Sequence, residues 1–163
     1  MTDEMVVPDG IAQVPRTEHD GQTVLYPSRD EYIDVVKVLV DDGYTMCVDV
    51  TAVDYLSHPG RAVPDDVAAE RFEVMAVFVD IDTGRRVRLR VQVPEADPSV
   101  PTLFDVHPGT EALEREVYDM FGITFTDHPD LTRILMPEDW EGHPLRKDYA
   151  VGEIPVQFKD APS

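Results

Sequence analysis

The chain has 163 residues, enough for one compact domain with a sizeable core plus an extension. Its 14 basic and 33 acidic residues leave a formal net charge of -19. That charge repels phosphate backbones and anionic headgroups at long range, which argues against binding nucleic acid or a membrane surface.

The longest apolar runs, such as residues 35–40, are short and broken by charge, far below the roughly 20 residues that span a bilayer, so no direct membrane insertion is expected. Residues 1–10 carry early acidic groups and no apolar stretch, unlike a secretion signal, which points to the cytoplasm. The one cysteine, Cys47, excludes an intrachain disulfide framework and any cysteine-ligated iron-sulphur cluster held by this chain alone.

Residues 1–27, with Pro8, Gly10, Pro15, Gly21 and Pro27 and little periodicity, read as a mobile or draped N-terminal arm. The fold is expected to begin at Ser28, where Ser28 and Glu31 have capping-box spacing ahead of a helix over residues 29–42. Tyr32, Val35, Val36 and Leu39 form one apolar stripe, and Gly43 is placed to end the helix. Tyr44, Met46, Val48 and Val50 then alternate with polar residues as a strand with one buried face, leaving Cys47 an inert strand residue.

An excursion loop over residues 57–70 precedes a second strand, residues 72–81. A three-residue turn, Asp82-Thr83-Gly84, would set Val79 opposite Val87 and Asp80 opposite Arg86. On the returning strand Val87, Leu89, Val91 and Val93 form an inward row, with Arg86, Arg88 and Arg90 on a solvated or half-exposed face.

A short extended piece is expected over residues 102–106, then a helix capped by Thr110, with the stripe Leu113, Val117, Met120 and Phe121 and a stop at Gly122. The whole reads as an α+β fold: a two-layer core domain, residues 28–126, of two main helices on a largely antiparallel sheet. A long irregular C-terminal extension, residues 127–163, follows. Its prolines preclude a long helix, yet Leu131, Ile134, Leu135, Met136, Trp140, Leu145 and Tyr149 make it too apolar for a free tail, so it reads as a docking segment.

Independent catalysis finds little support. His58, His107, His128 and His143 each precede a proline, which makes them turn-forming steps rather than a metal-binding helix face. No G-x-S-x-G elbow or glycine-rich phosphate loop is present, and Cys47 has no base near it in sequence. Glu111, Arg115 and Asp119 stand at i, i+4 spacings that on their own indicate a charged outer helix face.

The run Glu114-Arg115-Glu116-Val117-Tyr118-Asp119-Met120-Phe121-Gly122-Ile123, followed by Phe125, His128, Pro129, Asp130 and Leu131, resembles the signature of the 30 kDa subunit family of respiratory complex I, the NADH-quinone oxidoreductase. Glu141-Gly142-His143-Pro144-Leu145-Arg146-Lys147-Asp148-Tyr149 is similar to that family's second hallmark, and Thr51-Ala52-Val53-Asp54-Tyr55 to a shorter feature. Thr132 and the linker Met136-Pro137-Glu138-Asp139-Trp140 depart from the commoner pattern.

The resemblance implies a non-catalytic subunit of the peripheral arm of a proton-pumping NADH-quinone oxidoreductase, on the cytoplasmic face of the cell membrane. It implies no cofactor in this chain, with iron-sulphur clusters, FMN and quinone in partner subunits. The neighbours would be the iron-sulphur and quinone-site subunits. On this resemblance Glu114, Arg115, Glu116, Asp119, His128, Arg133, Glu141, His143, Leu145, Arg146, Lys147, Asp148 and Tyr149 are the expected structural or interface residues: Arg115 is suited to grip a carboxylate through its planar fork, and Arg146 and Lys147 lie beside Leu145 and Tyr149 as the cations and apolar anchors of a docking segment. Two rivals remain: the equivalent subunit of a membrane-bound hydrogenase or other complex I-like machine, and a stand-alone metal-dependent enzyme using the histidines.

Overall fold

The computed structural model describes residues 8–150 and Gly152. It is an α+β fold whose two helices and inward strand rows share one continuous apolar core. The elements are β1 (Arg16–His19), β2 (Gln22–Leu25), α1 (Tyr32–Asp41), β3 (Met46–Asp54), β4 (Phe72–Val79), β5 (Arg86–Val93), β6 (Ser99–Pro101), α2 (Glu111–Phe121) and β7 (Thr124–Thr126). The main sheet has the order β1-β2-β5-β4-β3 and is antiparallel except for the parallel β2–β5 pair. A second, two-stranded parallel sheet pairs β6 with β7.

The capping box forms as its spacing demands. Ser28 Oγ accepts from the Glu31 N–H at 3.3 Å, while the Glu31 carboxylate accepts from the Ser28 N–H at 3.1 Å. Turn geometry persists through Glu31, so α1 proper starts at Tyr32, later than the spacing suggests. At its far end Gly43 takes φ +100, and the Tyr44 N–H reaches back to the Leu39 carbonyl, closing the last turn.

Four expectations are corrected. The unpacked arm over residues 1–27 is replaced, from residue 8 onward, by a 3₁₀ turn (Asp9–Ile11) and the β1–β2 hairpin; residues 1–7 lie outside the described part. Asp20 and Gly21, with φ of 51 and 73, form a two-residue turn of the kind that matches strand twist. Ile11, Val14 and Leu25 enter the core, and Leu25 pairs with Leu89 of β5.

In β3 the register shifts between Cys47 and Asp49, so strict alternation fails there. Met46 and Val48, expected inside, are exposed, and Val50 and Ala52 take the inward row.

The β4–β5 hairpin pairs Val79 with Arg86 and Phe78 with Val87, one residue away from the expected register. Asp80 causes the slip. Its carboxylate accepts from the Asp82 N–H at 3.0 Å, from Thr83 Oγ1 at 2.6 Å and from Arg85 Nη2 at 2.8 Å, which folds residues 81–84 into a four-residue loop closed by Asp80 N–H to the Arg85 carbonyl. The inward row of β5 stands as read, but β4 turns Phe72, Val74, Ala76 and Phe78 inward and Val79 outward.

Finally, residues 102–106 form a turn, and the short strand lies earlier, at Ser99–Pro101. Buried Glu114 dictates this: it accepts from Thr102 Oγ1 and from the Leu103 N–H at 2.7 Å, bending the chain toward α2.

Candidate functional site

Helix α2 ends with several backbone carbonyls that have no intrahelical donor and carry the negative end of the helix dipole. No basic residue lies in its last turn. The irregular segment after β7 supplies the missing donors. His143 Nδ1–H donates to the Asp119 carbonyl at 2.9 Å, the Leu145 N–H to the Met120 carbonyl at 3.0 Å, and Arg146 Nε to the Phe121 carbonyl at 2.6 Å. Gly122, left-handed with φ +72, makes room: a Cβ there would lie 2.6 Å from the His143 ring and 2.8 Å from Arg146.

The Asp119 side chain is fully buried. It accepts from the backbone N–H groups of Ile134, Leu135 and Met136 at 3.0, 2.7 and 2.8 Å and from Arg133 Nη1 at 2.6 Å. Burial alone would raise its pKa, but the Met136 N–H, Arg133 and the other two N–H groups outweigh it and hold the carboxyl below its ordinary value. Arg133 also donates to the Gly142 carbonyl at 2.9 Å, tying two points of the segment together. One turn earlier Arg115 donates to the Thr132 and Arg133 carbonyls, both at 3.1 Å.

A second clasp sits at the end of β3. Arg71 grips buried Asp54 as a fork, Nε to Oδ1 at 3.0 Å and Nη2 to Oδ2 at 2.9 Å, and the same Nη2 reaches Asp148 at 2.8 Å. Asp54 also accepts the Lys147 N–H at 2.8 Å. Burial pulls the Asp54 carboxyl up, yet Arg71 and the Lys147 and Leu56 N–H groups leave it below its ordinary value. The guanidinium of Arg146 lies over the Phe72 ring at 5.1 Å, and that of Arg71 over the same ring at 4.7 Å.

Of the expected residues, Arg115, Asp119, Arg133, His143, Arg146, Lys147 and Asp148 converge on these clasps. Tyr149 packs beside Gly142, where a Cβ would stand 2.9 Å from its ring, and its N–H donates to the Arg146 carbonyl at 3.1 Å. Glu114 lies apart, buried against Thr102 and Leu103, and burial pushes its carboxyl up. His128 uses both ring nitrogens: Nε2–H donates to the Glu111 carbonyl at 3.1 Å and Nδ1 accepts from the Asp130 N–H at 3.1 Å. That fixes its tautomer and makes it a brace between the segment and the start of α2. Arg115 pairs with Glu111 at 3.2 Å, not with Asp119. Glu116 and Glu141 are exposed and join neither clasp.

Sequence reasoning passed over Arg71, and it saw Asp54 only within a short resemblance. The signal was present: Asp54 continues the inward row of Val50 and Ala52, and a carboxylate at an inward strand position demands a cation. Arg71 immediately precedes Phe72, the partner of Asp54 in the ladder.

The outer side of the clasped segment is apolar. Ile134, Leu135 and Leu145 are 41%, 58% and 50% exposed, although the backbone at each is pinned by a hydrogen bond. Such a surface suits a protein partner. Among the described residues no group of three His, Cys, Asp or Glu side chains is arranged to hold a metal ion. Burial pushes the Cys47 thiol up to about 12, far from the range of a reactive thiolate.

Residues 25–154 match the family model described as respiratory-chain NADH dehydrogenase, 30 Kd subunit. A subunit of the NADH-quinone oxidoreductase of Nocardioides sp. (strain ATCC BAA-499 / JS614) is 42% identical over 146 residues, covering 86% of this chain and 54% of that protein. Subunit 5 of the NADH-quinone oxidoreductase of Thermus thermophilus is 46% identical over 123 residues, covering 72% of this chain and 56% of that protein. The chain thus spans about half the length of the curated relatives it matches.

Among solved structures, a trypsin-resistant fragment of Nqo5 superposes with a TM-score of 0.64 at 34% identity, covering 73% of this chain and 90% of the fragment. A chain of the membrane-bound sulfane sulfur reductase, an archaeal respiratory membrane complex, shares the fold, with a TM-score of 0.67 at 19% identity over 91% of this chain and 89% of that one. With a family model matched along most of its length and relatives this similar, the chain belongs to the family of the 30 Kd subunit of respiratory-chain NADH dehydrogenase.

Proposed function

We propose that this chain is a non-catalytic structural subunit of the peripheral arm of an NADH-quinone oxidoreductase, docked through the outer face of its clasped C-terminal segment. The observation that carries the reading is the pairing of a rigidly held backbone with outward apolar side chains at Ile134, Leu135 and Leu145. A segment anchored only for its own domain would turn those side chains inward, where each fully buried one contributes about 1.5–3 kcal/mol. Held outward, they are preorganised for a partner and lose little conformational freedom on docking.

The names of its relatives support an assembly that oxidises NADH and reduces quinone. In that assembly the iron-sulphur clusters, FMN and quinone belong to neighbouring subunits, and this chain supplies position rather than redox chemistry. Its only cysteine is a half-buried strand thiol with a pKa raised to about 12, which supports that division of labour. The reading places the chain at the periphery of the assembly, on the cytoplasmic face of the membrane; no helix among the described residues is long and apolar enough to cross a membrane.

The test replaces Ile134, Leu135 and Leu145 together by Asp in the full chain. The isolated variant is expected to unfold cooperatively as before, while its recovery in the complex purified from native membranes, assayed with NADH and with hydrogen as donors, falls sharply. Undiminished incorporation would refute the docking face, and a tagged wild-type chain that purifies without cluster-bearing subunits would refute the subunit role.

A further inference from the structure

The sheet has a second face. On the side away from the helices, the outward rows of β2, β4 and β5 and the loop at residues 62–64 border a groove of about 590 Å³. Two arginines enter it, and they are treated very differently. Arg90 is fully engaged: Nε donates to Glu73 at 2.7 Å and Nη1 to the Tyr26 hydroxyl at 2.8 Å. Arg88 lies between Val77 of β4 and Val24 of β2 in the ladder, its Nε is buried, and no described residue accepts a hydrogen bond from its guanidinium.

Neither carboxylate bordering the groove serves Arg88. Glu73 is committed to Arg90 and to Gln92, whose Nε2 donates at 2.7 Å, and Glu18 accepts from Thr23 Oγ1 at 2.7 Å. A guanidinium stays charged, and the buried Nε–H of Arg88 calls for an acceptor. In the same groove half-buried Met75 and Val53 offer apolar contact, and Tyr55 adds an aromatic wall.

We propose that this groove is a second docking site, which seats an Asp or Glu side chain of a partner protein on Arg88 with that residue's apolar neighbours against Met75 and Val53. Charge complementarity selects the occupant. A chain of net charge -19 repels polyanions at a distance, so nucleic acid fits poorly, whereas a lone carboxylate on a mixed apolar segment meets the cation and the apolar floor together. A bidentate carboxylate matches the fork of Arg88 and satisfies its buried N–H. The proposal rests on the reading of the chain as a subunit, and it adds an interface on another side of the molecule from the clasps.

The experiment uses the complex purified from native membranes through a tagged full-length chain carrying Arg88→Lys, treated with a water-soluble carbodiimide that joins amines to adjacent carboxylates. The expected result is a new cross-link between Lys introduced at position 88 and an Asp or Glu of a partner subunit. Arg88→Glu should lower retention of the chain in the complex about 30-fold or more, and Arg86→Glu, at the exposed start of the same strand, less than about 3-fold.

Coupling only to Glu18, Glu73 or the carboxylates of residues 153–163 of the same chain would overturn the proposal. So would coupling to a second copy, protection of the amine by inorganic phosphate alone, or free labelling of the amine in the intact complex. A wild-type chain that purifies alone would remove the subunit reading and this one with it; an intact complex with an unprotected amine at position 88 would remove only this one.

Discussion

The two ends of the described chain look alike on paper and are held in opposite ways. Residues 8–27 and 127–150 are both rich in proline and poor in periodicity. The first is integrated through apolar burial and strand pairing: Ile11, Val14 and Leu25 lie in the core, and β2 joins β5. The second is attached mainly through buried carboxylates, arginine forks and the last carbonyls of α2, with Ile134, Leu135 and Leu145 left outside. The difference separates two uses of an apolar residue. In the first segment it builds the domain; in the second the polar bonds do the holding and the apolar side chains stay outside.

Removing Asp119 should break the C-terminal attachment most severely. Asp119→Ala leaves Arg133 without its counter-ion and three backbone N–H groups without an acceptor, a loss of about 3–5 kcal/mol. Trp140 lies in this segment and is the only tryptophan, so its fluorescence reports release directly. The expected outcome is an early Trp140 transition with far-ultraviolet dichroism of the sheet retained; one coincident transition at the wild-type midpoint would sink the idea.

Acid should reach the same contact by titration. Burial, joined by Arg146 and Arg133, outweighs the bond to the Asp119 carbonyl and lowers the His143 pKa, so its contribution is present above its ordinary value of 6.5 and fades as pH falls below it. Asp54, Asp119 and Asp148 are depressed below 3.8, so theirs persists above that value and is lost at lower pH. Release monitored at Trp140 should therefore begin below pH 6.5 and finish below 3.8.

At the other end, Leu25→Ala should cost about 3 kcal/mol, because the side chain is fully buried and the surroundings of such a cavity relax only in part. Here the whole domain should respond: chemical denaturation should show Trp140 and the backbone signal shifting together. A loss confined to the hairpin would show that residues 8–27 are an appendage after all.

How much of this was legible depends on the range of the interaction. The capping box at Ser28 and Glu31, the stripe of α1, the end of α2 at Gly122 and the alternation along β5 are local patterns, and they are found where periodicity places them. The β4–β5 register was not, because hydrogen bonds from one side chain, Asp80, override the turn that glycine spacing suggests. Nor did helical spacing reveal that Asp119 is buried: what covers it arrives 15 to 17 residues later and has no periodicity of its own. The Asp20-Gly21 turn was readable, but its flanking strands are too short and polar to announce themselves.

Glycine substitutions sharpen the contrast between a close approach and backbone freedom. Gly122→Ala combines left-handed strain with collision against His143 and Arg146 and should cost about 2 kcal/mol or more, seen as weaker protection of residues 143–149 in hydrogen exchange. Gly84→Ala has similar left-handed geometry with open space around it, so it should cost only about 1 kcal/mol and leave those residues as protected as before. Equal protection loss in both would mean that the approach of His143 to Gly122 does not matter.

The smallest expected effect bears most directly on the comparison. Replacing Ile134 and Leu135 together by Ser keeps the two backbone N–H groups that Asp119 accepts and removes only outward apolar surface. Stability of the isolated chain should change by less than about 0.5 kcal/mol, as for ordinary surface substitutions. A loss comparable to that of Leu25→Ala would mean that these side chains help hold the segment down, and the division between residues that build the domain and residues that wait for a partner would fail. If the isolated chain is indifferent, the polar bonds alone hold the segment, as the proposed docking face requires.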